Sequence, residues 1–237
     1  MPTLRRVVLA ALTFAFFCLA SQPAYADLIT FTTRSAFNAA APALPVETFE
    51  SGLVGPGGVT ICSGPLSSAL GSTCFPTGSL LPGVVFNASS TIPPNMVVLG
   101  AGVVGNTSRV IGPNAFADTF NLTFANATAV GFDVFPGLAA GNIAISIFDP
   151  ANAPLGTFTV SSPISGTFFG LISTTSLIGR INIASLSAAP GELIDNLAFG
   201  TAAAIPEPTT MLLLGTGLVG VAAKIRRRRQ AMKSDAD

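Results

Sequence analysis

Between Asp27 and Ala204 the reactive chemistry rests on eight carboxylates, three arginines and two cysteines. The acids are Asp27, Glu47, Glu50, Asp118, Asp133, Asp149, Glu192 and Asp195, and the cations are Arg34, Arg109 and Arg180. The interval has no His, Lys, Trp or Tyr. A serine or cysteine nucleophile needs a base beside it, usually His or Lys, and zinc loses its commonest ligand without His. A carboxylate pair could still hydrolyse glycosides, but that chemistry requires a set separation, and the linear spacing fixes no pair. The expectation is a protein without catalytic residues, not an enzyme.

Three local patterns stand out. In "ELIDNLAF", Asp195 alternates in phase with Leu193, Leu197 and Phe199, which places it on an apolar face unless a bulge intervenes. A carboxylate there needs a cation, strong donors or a raised pKa. "CSGPLSSALGSTC" sets Cys62 and Cys74 at the ends of a Gly/Ser/Pro loop, and in an oxidising compartment the pair is expected to form a disulfide. "GAGVVG" spells G-x-G-x-x-G with Gly100, Gly102 and Gly105, but a dinucleotide site needs a helix immediately after it. The chain continues instead as "NTSRVIGPN", β-branched and proline-containing, so the glycines read as a turn.

The framework around these residues reads as strands. "AFADTFNLTFA" alternates Phe116, Phe120, Leu122 and Phe124 against Thr119, Asn121 and Thr123; "NIAISIF" alternates Ile143, Ile145 and Ile147; "GRINIA" sets Ile181 and Ile183 opposite Arg180 and Asn182. Gly, Pro or Asn interrupts the pattern about every ten residues. Only "SAFNAAA" suggests a turn or two of helix, and the stretch from Gly52 to Gly105 reads as long loops with a few edge strands. The fold class is therefore all-β, a two-sheet antiparallel β-sandwich. The interval carries a net charge of −5, which argues against nucleic acid as a partner.

The two ends are of another kind. Residues 1–26 read as a signal peptide: Arg5 and Arg6, then the apolar run Val7 to Ala20, then Ala24-Tyr25-Ala26 as the cleavage site, with Ala24 and Ala26 as the small residues recognised. A retained membrane anchor is the alternative. Residues 205–237 hold Pro206-Glu207-Pro208, an apolar stretch at 209–223 and a basic tail at 224–237. As a helix, Thr209 to Ala223 would reach about 22 Å, short of a hydrocarbon core of about 30 Å. Lys224, Arg226, Arg227, Arg228 and Arg229 would act as the membrane stop signal, kept on the cytoplasmic side.

This order of parts resembles the PEP-CTERM sorting signal of Gram-negative bacteria, which the membrane protease exosortase processes. The resemblance implies that Pro206, Glu207 and Pro208 are the processing motif and that exosortase is a partner. It also implies that the inner membrane holds the chain transiently, through its C-terminal transmembrane helix. Residues 27–204 would then be the exported domain, bound for the cell surface or extracellular matrix. An ordinary single-span anchor is the alternative.

Along the exported domain, "FTTRSAFNAAAP", "VETFES", "AVGFDVF", "GTFFGLIS" and "LIDNLAFG" resemble a jelly-roll domain found with this signal. In jelly rolls of similar layout a terminal-strand Asp and an N-terminal Glu help hold a structural Ca²⁺, which here implies Asp195 and Glu50. The function expected is that of a structural or adhesive component of an exopolysaccharide or biofilm matrix. The alternative is a calcium-assisted carbohydrate-binding module, with exopolysaccharide as partner and Asn, Asp and Phe in place of the missing Trp and Tyr.

Overall fold

Alternating apolar residues build two antiparallel sheets, seen in a computed structural model that describes residues 28–186 and 191–202. The elements in chain order are β1 (Leu28–Phe31), α1 (Arg34–Ala40), β2 (Val46–Glu47), β3 (Val59–Cys62), β4 (Val84–Ala88), β5 (Met96–Leu99) and β6 (Val110–Pro113). Then come β7 (Phe120–Phe124), β8 (Ala129–Phe135), β9 (Gly141–Phe148), β10 (Pro154–Ser162), β11 (Thr167–Ser173), β12 (Arg180–Ser185) and β13 (Leu193–Gly200). The larger sheet runs β1-β11-β8-β13-β6-β5-β3, with β2 also paired to β13, and the smaller runs β10-β9-β12-β7-β4. The signal peptide, its cleavage site, and everything from the sorting motif to the basic tail lie outside the described residues. Among the described residues no helix is long and apolar enough to cross a membrane.

One core lies between the sheets. Phe120, Leu122, Ile143, Ile145, Ile147, Ile181 and Ile183 of the smaller sheet meet Val130, Phe132, Val134, Leu171 and Ile194 of the larger, all fully buried. Period-two alternation with β-branched and aromatic residues on one face produces this directly. Phe116 departs from the sequence pattern: β7 begins only at Phe120, so Phe116 sits in the preceding loop and is exposed. The stretch from Gly52 to Gly105 does hold edge strands, β3 and β4. β5, however, is an interior strand between β3 and β6.

The helix foreseen at "SAFNAAA" forms as α1, capped by Thr33, whose hydroxyl accepts the Ala36 amide. Its Phe37 is fully buried on the outer face of the larger sheet. Gly131 and Gly170 are register partners on β8 and β11 beneath that ring. A methyl at Gly131 would lie 2.8 Å from Phe37 Cε1, and one at Gly170 2.8 Å from Phe37 Cδ2. Phe168 crowds both positions from the other side, at 2.9 Å in each case. The pair is thus a notch for two aromatic rings, Phe37 and Phe168. Gly131→Ala and Gly170→Ala are each expected to lose about 1–3 kcal/mol through overpacking. Gly55→Ala, which would meet nothing within 4 Å, should change little. Urea unfolding of the three variants checks this.

Candidate functional site

Asp195 is buried, yet not where the alternation places it. β13 pairs β8 as Asp195↔Asp133 and then as Ala198↔Gly131, so two residues of β13 face one of β8. This is a bulge, and Asn196 takes up the left-handed turn with φ 50°, a conformation Asn tolerates better than most residues. One extra residue reverses the phase. Ile194, Leu197 and Phe199 point into the core, while Leu193 packs on the outer face with Val97, Leu99, Val110 and Phe135. Asp195 therefore leaves the face of Leu197 and Phe199 and lies on the outside of the larger sheet, where it is 1% exposed.

Its neighbours form a polar cluster between two apolar patches. Asp195 Oδ2 accepts the Ser108 hydroxyl and the Asn196 side-chain amide, and Oδ1 accepts the Asn196 backbone N–H. The same Asn196 Nδ2 donates to Asp133 Oδ2 at 3.0 Å, so one amide bridges the two carboxylates. Arg34 of α1 pairs with Asp133 at 2.9 Å, donates to the Asn196 carbonyl and lies over the Phe168 ring, 4.7 Å from its centroid. Carboxylates opposite one another on adjacent strands repel, and this cation together with the bridging amide offsets the repulsion. Burial raises the Asp195 pKa to about 6, against the lowering effect of the Ser108 and Asn196 bonds, and the charges of Asp133 and Glu50 add to the rise.

Two shallow clefts open here. One, of about 290 Å³, is lined by Thr107, Ser108, Asp133, Phe168, Asp195 and Asn196 among others. Its neighbour, of about 190 Å³, is lined by Glu50, Pro56, Ala101, Thr107, Ser108 and Arg109. Glu50 sits in the second, where its Oε1 accepts the Arg109 backbone amide and its Oε2 pairs with the Arg109 guanidinium. Arg109 is held in turn by the Val54 and Glu50 carbonyls.

These donors decide the fit to calcium. Glu50 and Asp195 flank the same stretch, Thr107 to Arg109, but each carboxylate is answered by N–H or O–H groups of this chain. Arginines neutralise Glu50 and Asp133. Among the described residues no three His, Cys, Asp or Glu side chains converge on one point. Calcium takes six to eight oxygens, and this set of acceptors, already turned to donors, does not supply them.

Elsewhere the expected turn at Gly100, Gly102 and Gly105 is present. Gly102 and Gly105 have φ of 90° and 80°, and the chain leads into strand β6. Cys62 and Cys74 are joined in a disulfide.

The sequence reading missed Asp133, Asn196, Ser108 and Arg34 as a group, because the bulge that assembles them has no sequence signature. It also missed Glu192, a carboxylate 2% exposed at the start of β13. The signal for Glu192 was an acid set between Gly191 and the apolar Leu193-Ile194.

At the C-terminus, residues 204–229 match the family described as the PEP-CTERM protein-sorting motif. The chain carries a PEP-CTERM sorting signal. The match encloses Pro206, Glu207 and Pro208 and runs to Arg229. A PEP-CTERM signal marks an exported protein, anchored through its C-terminus before exosortase processes it. No curated protein matches the chain in sequence.

Among solved structures, the enzymatically active domain of bacteriophage CBA120 tailspike protein 4 is 15% identical. The match covers 50% of this chain and 19% of that one, with a TM-score of 0.32. CsCBM6-3 of Clostridium stercorarium, solved with cellobiose, is 18% identical, with 49% of this chain and 89% of that one covered and a TM-score of 0.30. Neither likeness is close enough to assign a ligand.

Proposed function

We propose that this PEP-CTERM protein is a non-enzymatic structural or adhesive component of an extracellular polysaccharide or biofilm matrix. The observation that carries the reading is the sorting signal at 204–229 behind a disulfide-bridged β-sandwich. The bridge suits an oxidising compartment, and a surface polar through Ser, Thr and Asn suits a hydrated polymer network. A non-enzymatic role is supported by the state of the carboxylates. Asp133 and Glu50 are neutralised by arginine and Asp195 is turned to donors within the fold. None is placed as a free base.

In this reading exosortase cuts at Pro206-Glu207-Pro208, where proline disfavours helix and removes backbone donors. The apolar stretch delivers it to the membrane and the arginines stop translocation. The intact mass of the protein from cells and culture fluid of its native host tests this. A chain from Asp27 to near Pro206–Pro208 is expected. A chain that keeps Arg226 to Arg229 in the membrane fraction would overturn the reading, leaving a simple anchored surface domain.

A carbohydrate-binding role is the second reading, favoured by one observation, the amide and hydroxyl groups arrayed on the outer face of the smaller sheet. Calcium assistance is not part of it, given the donors already turned to Glu50 and Asp195.

A further inference from the structure

The outer face of the smaller sheet carries a row of polar side chains. Strand register aligns Thr157, Ser146, Asn182, Asn121 and Asn87 in one row across all five strands. At strand spacings of about 4.8 Å that row spans about 19 Å. The neighbouring row holds Phe148, Arg180, Thr123 and Val85. Side chains along the first row are already ordered: Ser146 and Thr157 hydroxyls lie 3.1 Å apart, and Asn182 Nδ2 donates to Asn121 Oδ1 at 3.0 Å.

Arg180, at the start of the central strand β12, differs from the other two arginines of the exported domain. Arg34 and Arg109 are neutralised by Asp133 and Glu50. Among the described residues Arg180 forms no ion pair. Its Nε and one terminal nitrogen donate to Asn152 Oδ1 at 3.1 and 2.7 Å, and the other terminal nitrogen donates to Asn121 Oδ1 at 3.0 Å. The guanidinium lies over the Phe148 ring, 3.9 Å from the centroid.

Five N–H bonds less these three leave one on each terminal nitrogen. The result is an oriented, half-buried cation with no ion-pair partner among the described residues, beside a row of hydroxyls and amides. Of the flanking acids, Asp149 turns its carboxylate to the Ala153 amide and Asp118 accepts from Ser89. The interval's net charge of −5 opposes a densely charged polymer elsewhere on the domain, so the charge that complements this face is a single carboxylate set among hydroxyls.

We infer that the outer face of the β10-β9-β12-β7-β4 sheet binds an acidic, uronate-bearing polysaccharide, with Arg180 taking a sugar carboxylate and the Thr/Ser/Asn row taking hydroxyls. The inference rests on the matrix reading above and names the polymer class within it. Arginine suits the role because its planar fork takes a carboxylate through two parallel bonds and stacks flat on an aromatic ring, geometries that a lysine ammonium lacks.

The test is affinity electrophoresis of the full chain, solubilised in mild detergent, through gels containing polygalacturonate or neutral dextran. Polygalacturonate should retard the wild type beyond the common retardation that the basic tail at 224–237 gives every chain, and dextran should not. Arg180→Gln should weaken the retardation about tenfold, as loss of charge-assisted hydrogen bonds requires. Asn121→Asp neutralises Arg180 in place while keeping the acceptor for both Arg180 and Asn182, and should weaken it to a similar degree without unfolding.

Equal retardation of all three chains, no retardation by polygalacturonate, or equal retardation by dextran would overturn the inference. A chain processed at its tail but indifferent to polygalacturonate sinks this inference alone. One that binds but keeps its tail sinks the sorting reading alone.

Discussion

Removing the Cys62–Cys74 bridge by the double change Cys62→Ala and Cys74→Ala is expected to lower the unfolding free energy by about 3 kcal/mol. That is the loop-closure entropy regained by the unfolded chain for so short a loop. Both cysteines are buried in the main core, so alanine avoids leaving a hydroxyl there. The effect should also be local. Leu66, Phe75 and Leu80 come from the same stretch and are buried at 1–2% exposure. Among the described residues, the one sheet-like contact from inside the loop to a strand is Leu66 with Phe86, made by two backbone bonds at 2.8 and 2.9 Å.

Without the bridge, residues 63–80 should exchange their amide hydrogens faster than the strands of the smaller sheet, since short loop segments open below the global free energy. Urea unfolding with and without reductant, combined with hydrogen exchange, measures both effects. An unchanged midpoint would show that loop packing alone holds the segment.

Glu192 carries the second large effect. Its carboxyl accepts the Ser185 amide on one oxygen, and the other oxygen is buried with no hydrogen-bond partner among the described residues. Burial raises its pKa from 4.5 to about 7, the Ser185 bond and its own backbone amide pull the other way, and the charge of Asp118 adds to the rise. A carboxylate with a raised pKa makes folding take up a proton. Its contribution is therefore most favourable below pH 4.5 and is lost as pH climbs from there to about 7.

The full loss is about 3 kcal/mol, from about 1.4 kcal/mol for each pH unit of displacement. Glu192→Gln removes the charge and keeps the acceptor for Ser185. At about pH 8 the variant should be about 1–3 kcal/mol more stable than wild type, and near pH 4.5 the two should nearly coincide. Asp195 titrates in the same direction between 3.8 and about 6 in both chains, so the difference between the two pH profiles isolates Glu192. Parallel profiles from about pH 4 to about pH 8 would refute the assignment.

Both residues show where sequence reading reached and where it stopped. The bridge was legible because two cysteines and an export signal leave one economical pairing. Glu192 was not, because its surroundings are set by the folded sheets, where Ser185 of β12, seven residues earlier, donates its amide to the carboxyl. The strands at 143–147 and 180–183 were legible because period-two alternation is a local property. So was α1, where three alanines fall within the seven residues Arg34–Ala40.

Residue order alone was enough for the sorting signal, whose parts act in sequence along the chain, and for the all-β class, whose pattern lies within each strand. It also limited the chemistry of residues 27–204 by leaving out His and Lys. The face that Asp195 occupies needed the folded chain, because a one-residue bulge at Asn196 reverses the phase of everything before it relative to everything after. The neutralisation of the arginines is likewise a property of the fold. Arg34 and Asp133 are far apart in the chain, as are Arg109 and Glu50, and they meet through sheet pairing and loop packing. Arg180 is left with neutral amides and a ring for the same reason: the strands beside β12 carry threonine and phenylalanine at its level, and no acid.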